Sequence, residues 1–165
     1  ASERVVVTAG IAGAVTLRDY VATRVPPATG SAASAPDRLQ VKRAVLADLA
    51  GLLARVHRAR AYHGDFTARN ILVREDAPGV ARAFLLDIDA VRHAWRISAR
   101  RRVKNLDEIG RNFLDRRVFT TADRMRFLQH YAALAGLTPA GTRRLFKRVW
   151  RRTQARLAKY GHAFR

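Results

Sequence analysis

The stretch "HGDFTARNILV" (His63–Val73) decides how the chain reads. An Asp, four residues and an Asn lead directly into an apolar run with strand character. A buried structural loop has little use for Asp65, Arg69 and Asn70 in such close succession. A site that holds a hydroxyl and a cation does. Downstream, "REDAPGVAR" separates "NILV" from "AFLLDI". Its Pro78-Gly79 pair is a turn signal, so the two apolar runs read as a hairpin. That hairpin returns Asp87, at the end of the second strand, to the side of Asn70. A carboxylate beside an amide oxygen makes a hard oxygen site suited to Mg²⁺, which keeps waters and leans on substrate phosphates for further ligands. Asp65, left outside the metal set, is placed to accept a hydrogen bond from a substrate hydroxyl and aim it for in-line attack. In phosphoryl transfer, positioning and charge neutralisation supply most of the catalysis.

Outward from this centre, the elements are mostly helical. Leu39, Val45, Leu46, Leu49, Leu52, Leu53 and Val56 recur at three- and four-residue steps, predicting a core helix from about Arg38 to Ala59. Before it, "RVVVT" (Arg4–Thr8) reads as a buried strand and Ala9–Ala14 as a flexible connector. A short helix capped by Thr16 follows, then a Pro/Ser/Ala/Gly linker over Pro26–Asp37. After the hairpin, "AWRISARRRVK" (Ala94–Lys104) is basic and poorly periodic. "NLDEIGRNFLDRRVF", "TTADRMRFLQHYAALAG" and "TPAGTRRLFKRVWRRTQARLAKYG" read as three helices. Thr120 or Thr121 caps the second, which stops at Gly136. Thr138 caps the third, with Pro139 in its first turn and Gly161 past its end. The fold class is therefore α+β, mainly α, in one domain, with a small β-hairpin beside a polar loop.

Composition bounds the rest. The 165 residues suffice for one core, and 48% hydrophobic content fits a globular chain. No run of about 18 apolar residues predicts a membrane span, and the N-terminal stretch does not read as a secretory signal. Cysteine is absent, which excludes disulfides and thiolate metal sites. Lys and Arg number 32 against 13 Asp and Glu, a formal charge of +19. Such a surface attracts polyanions: nucleic acid, anionic lipid or phosphorylated glycans. An Arg-rich composition serving solubility alone is the plainer reading.

The paired motifs, "HGDFTARN" and then "LLDIDAVR", resemble the catalytic loop and metal-binding strand of the protein-kinase-like fold, whose template is H-R-D-L-x-x-x-N followed by D-F-G. The H-G-D variant, with Arg before Asn, D-x-D and a following Arg, most resembles the bacterial lipopolysaccharide core (heptose/Kdo) kinase family. The likeness is strongest from Val56 to Arg92. It implies that Asp65 is the catalytic Asp and that Asn70 and Asp87 hold Mg²⁺ for ATP. His63 holds the loop by packing and hydrogen bonding. Arg69 pairs with Asp65 or Asp89, or touches phosphate. Asp89, standing where the template has Gly, either aids the metal or bonds the loop backbone. Asp107 resembles the Asp that anchors the catalytic loop from a following helix.

Two departures qualify the likeness. Gly64 replaces the Arg of H-R-D, so a phosphorylated loop has no receiver there, and no A-P-E sequence follows. The Gly-rich loop, strand Lys and paired Glu of the fold are not recognisable. By resemblance, residues 1–14 match the last small-lobe strand and hinge, so the chain is expected to be the C-terminal lobe (1–165) without the small lobe, and inactive alone. Arg96, Arg100, Arg101, Arg102 and Lys104 fall where the family carries its acceptor-side surface, and are expected to meet anionic groups of a phosphorylated glycolipid. The basic last helix reads either as membrane-surface contact or as a packed helix with a solvated charged face. The implied setting is the cytoplasm, peripherally on the inner face of the membrane. Two alternatives stay open: a small-molecule kinase of the aminoglycoside or choline type, and a non-catalytic polyanion-binding module. Nucleic acid is the disfavoured partner.

Overall fold

The computed structural model describes residues 10–25, 35–111 and 118–160, without the side chains of residues 35, 36, 157 and 160. The predicted strand Arg4–Thr8, most of the Pro26–Asp37 linker and Gly161 lie outside them, as do residues 112–117 of a predicted helix. Five strands and five α-helices follow in the order β1 (Val15–Thr16), α1 (Leu17–Arg24), α2 (Ala35–Arg58), β2 (Ala61–His63), β3 (Ile71–Ala77), β4 (Val80–Leu85), β5 (Val91–His93), α3 (Ala99–Arg111), α4 (Thr121–Leu134) and α5 (Pro139–Tyr160).

The helix at the centre is α2. Val45, Leu49, Leu53 and Ala54 are fully buried, and the helix packs against both α4 and β4. Its apolar stripe is the predicted one apart from its ends: Leu39 is exposed and Val56 is half-buried. The helix also begins at Ala35, inside the predicted linker. On its polar flank Asp48 accepts the backbone N–H of Ala83 at 2.6 Å, so the helix satisfies a donor of the adjoining strand.

The hairpin forms as predicted. β3 and β4 pair antiparallel with Ile71 opposite Leu85 and Val73 opposite Ala83, and Gly79 takes φ 75° in the turn. A glycine suits that left-handed position, where a Cβ would also strike the Gln40 side chain at 2.8 Å. Two further pairings have no sequence signal. β1 adds to β3, giving the order β1-β3-β4, and β2 pairs antiparallel with β5, placing His63 opposite Val91. Strands of two or three residues are too short for a period-two pattern to show.

The basic stretch Ala94–Lys104 is not irregular throughout. Its last residues open α3, which starts at Ala99, several residues before the predicted helix. The early arginines mask an apolar face formed by Val103, Leu106 and Ile109, all buried. In α4, Thr120 is the cap, locked in a reciprocal capping box with Asp123. Thr138 accepts the Gly141 N–H at 3.1 Å at the start of α5. Leu145 and Val149 of α5 are buried in the core, so the helix spends its apolar stripe on packing.

Candidate active site

The polar centre is built between α2, the hairpin and α3. His63 ends β2, and the chain then turns through Gly64 and Asp65 into a short 3₁₀ turn, Ala68–Asn70, which feeds β3. Inside that turn the Asn70 side-chain amide donates to both the carbonyl (3.0 Å) and the Oδ2 (2.9 Å) of Asp65. Both partners are acceptors, so the bonded atom is the NH₂ group. The amide oxygen of Asn70 is therefore left for another partner. The backbone N–H of Leu86 meets the Asn70 carbonyl at 2.9 Å, continuing the hairpin ladder by one pair. Asp87 is the next residue. The fold thus returns Asp87 to the neighbourhood of Asn70 by strand register.

Asp87 adopts φ 58° and ψ 62°, a left-handed conformation that non-glycine residues rarely hold. Two bonds fix it there. Its carbonyl receives the Nε2–H of His63 at 2.9 Å and the N–H of Ala90 at 3.0 Å. His63 is fully buried, and its ring works in both directions: Nδ1 accepts the Asp65 N–H at 3.1 Å while Nε2 donates to the carbonyls of Leu86 and Asp87. One imidazole therefore joins the backbone of the Asp65 turn to the backbone at Asp87. The carboxylates of Asp65 and Asp87 are exposed to solvent.

A hydrogen-bonded network beneath the loop gave no sequence signal. Asn105, fully buried on α3, donates to the His63 carbonyl at 2.7 Å and accepts the His63 N–H at 3.3 Å. Its amide also donates to Glu108 Oε2 at 2.9 Å, and that carboxylate accepts the Phe66 N–H at 3.3 Å. Lys104 pairs with the other Glu108 oxygen at 2.6 Å and donates to the Gly64 carbonyl. Farther in, His57 lies between Asn105 (3.3 Å) and the Tyr131 hydroxyl (2.7 Å), and Arg102 donates to that hydroxyl at 2.8 Å. A guanidinium can only donate. The Asn105 NH₂ donates to the His63 carbonyl and to Glu108, so its Oδ1 accepts the Nε2–H of His57, and the neutral ring is left with Nδ1 to accept the Tyr131 proton. Burial pushes His57 down to about 4, which keeps the ring in the neutral form this order requires. Burial likewise raises the Tyr131 hydroxyl, keeping it protonated.

Asp107 requires a correction. It does not anchor the loop: its buried carboxylate faces α5, bonding Arg152 Nε at 3.0 Å, Thr153 Oγ1 at 3.2 Å and Arg156 at 3.3 Å. On an α-helix, residues 105 and 108 share a face and residue 107 points about 100° away from each of its neighbours. Anchoring the loop falls to Asn105 and Glu108, and Asp107 ties α3 to α5. Arg69 is exposed and makes neither of its expected ion pairs among the described residues. The Asp89 carboxylate has no hydrogen bond to the loop backbone among them either; its carbonyl accepts Arg92.

The predicted acceptor-side cations divide. Arg101 lies 4.3 Å from the Tyr62 ring centroid, and Arg102 and Lys104 take the structural roles just described. Arg96 and Arg100 are exposed. No group of three or more His, Asp or Glu among the described residues is arranged to hold a metal. Asn70 and Asp87 would supply a smaller set, one amide oxygen and one carboxylate. That donor chemistry fits Mg²⁺, which binds through one or two protein oxygens and fills its shell from water and phosphate.

A protein-family model described as "Lipopolysaccharide kinase (Kdo/WaaP) family" matches residues 3–131. Among solved structures, one titled "WaaP in complex with acyl carrier protein" superposes with a TM-score of 0.64 at 22% identity, covering 88% of this chain. This chain spans 58% of that one. No curated protein sequence matches.

Proposed function

Because the chain belongs to the lipopolysaccharide kinase (Kdo/WaaP) family, we propose that it forms the lobe of an ATP-dependent kinase that carries the catalytic loop, the acceptor being a sugar hydroxyl of a lipopolysaccharide-type glycolipid. The observation that carries this reading is the joint placement of three groups. Asp65 and Asn70 are hydrogen-bonded within one turn, and Asp87 follows the last hairpin pair, its carbonyl held by the histidine that also holds the Asp65 backbone.

In this reading Asp65 accepts the proton-bearing side of the acceptor hydroxyl and orients its oxygen toward the γ-phosphoryl group. Asn70 directs its amide hydrogens at Asp65 and so fixes the carboxylate's rotamer. The amide oxygen of Asn70 and the carboxylate of Asp87 would hold Mg²⁺. Bound there with ATP, the cation would neutralise phosphate charge during transfer. The exposed Arg69 adds positive potential next to Asn70, in keeping with a phosphate neighbour. The acceptor is lipid-linked in this proposal, and the positive surface favours an anionic membrane face.

The test uses the intact protein. Asp65→Ala should lower phosphotransfer by about 10²-fold or more, the usual scale for losing a group that handles the transferred proton, while leaving Mg-nucleotide affinity within twofold. Asp87→Ala should abolish transfer and also weaken Mg²⁺-dependent nucleotide binding. Equal nucleotide affinity in wild type and Asp87→Ala, measured by titration calorimetry, would remove Asp87 from the metal role.

A further inference from the structure

We propose a second anion site, separate from the Asp65 loop, that takes a phosphomonoester group. A cavity of about 450 Å³ opens where the segment before α3 meets the start of α5. Arg96, Arg102, Arg144 and Arg148 line it, from three different parts of the chain, over a floor that includes the buried Ile97 and Leu145. No carboxylate of the described residues is among its lining. Arg96, Arg144 and Arg148 are exposed and have no ion-pair partner among the described residues, whereas Arg102 is held in place by the Tyr131 hydroxyl at 2.8 Å.

Four guanidinium groups around one cavity repel one another, and neighbouring carboxylates normally offset such repulsion. Among the described residues none lines the walls, so a bound anion would relieve it. Guanidinium forks match phosphate oxygens in bidentate pairs. Two features then narrow the ligand: several cations converge, and the opening is concave. A terminal phosphate, with three free oxygens and up to two charges, serves more of the arginines than a phosphodiester or a carboxylate. The first turns of α3 and α5 border the same cavity through Ala99 and Gly141, and their positive helix ends add to the field. The ligand's phosphate belongs either to a soluble sugar phosphate or to a lipid headgroup; the chemistry is shared.

Titration calorimetry at constant ionic strength with inorganic phosphate and with glucose 6-phosphate tests the site in the intact protein. One saturable phosphate site is expected. Arg144→Gln and Arg148→Gln should each weaken it about tenfold or more. Lys147→Gln and Arg151→Gln, exposed cations of the same helix outside the cavity, should change it less than twofold. A soluble source is supported by glucose 6-phosphate binding more tightly than phosphate. A lipid source is supported by arginine-dependent flotation with phosphatidic acid vesicles but not with phosphatidylglycerol vesicles at matched charge. Absence of saturable binding overturns the proposal, as does equal weakening by all four substitutions, which would mark diffuse charge. Asp65→Ala should leave phosphate affinity unchanged, so failure of the kinase reading and failure of this site are separable.

Discussion

At the scale of single residues, the chemistry at the loop is local and the support beneath it is not. Asp65 and Asn70 were legible because they lie five residues apart and bond within one turn. Asn105, Glu108, His57 and Tyr131 were illegible because their contacts with the loop and one another cross as many as 74 residues of sequence. An asparagine in the middle of a basic helix carries no mark of its partner. His57 supplies a pH-dependent consequence. Its folded value of about 4 lies below the ordinary 6.5, so between those values the unfolded chain binds the proton and the folded chain does not. Its contribution is therefore fully present above pH 6.5 and is lost as pH falls towards 4. At 1.36 kcal/mol per pH unit the loss comes to roughly 3 kcal/mol. Urea unfolding of the wild type should show this decline from pH 7 to pH 4.5. In His57→Gln, which cannot titrate, the decline over the same range should be smaller; an identical decline would clear His57 of the effect.

At the scale of elements, α3 shows how one helix serves two neighbours from two faces. Its Asn105 and Glu108 hold the loop, and its Asp107 holds α5. Helical periodicity separates the duties, and the sequence reading assigned loop anchoring to the wrong face because family resemblance fixes a residue's place in a motif and not its azimuth. The long helix and the hairpin were legible from apolar spacing and a Pro-Gly turn. β1, β2 and β5 were not, since two or three residues carry no alternation. The two faces of α3 can be told apart by substitution. Asp107→Ala removes the buried carboxylate shared by Arg152 and Arg156 and should cost about 2–4 kcal/mol, discounted from a fully buried pair because both arginines are partly exposed. It should leave the amide resonances of His63 and Asp65 near their wild-type positions. Asn105→Ala should shift those resonances and lower phosphotransfer in the intact protein. Loop shifts of similar size in both variants would contradict the division.

At the scale of the whole molecule, charge and packing separate two kinds of membrane contact. The chain carries +19, and no helix among the described residues is long and apolar enough to cross a bilayer. Leu145 and Val149 take part of the apolar side of α5 into the core, and Trp150, 59% exposed, stands outside that packing. Attraction to an anionic surface should then be electrostatic, without a large inserted face. Vesicles containing 30% phosphatidylserine should bind the protein in flotation at 50 mM NaCl and release most of it at 0.5 M, where screening shortens the reach of charge to about 4 Å. Retention at 0.5 M NaCl would require an apolar anchor in place of charge.

The line of protons from Arg102 through Tyr131, His57 and Asn105 to Glu108 can be written in one sense only. It begins at a group that cannot take a proton and ends at one that has none to give. Turning the Asn105 amide over would set like against like at its junctions with both His57 and Glu108, among buried groups. The strap under the loop thus has no second setting to visit. The loop's backbone is preorganised before substrate arrives, and little ordering entropy remains to be lost when it does.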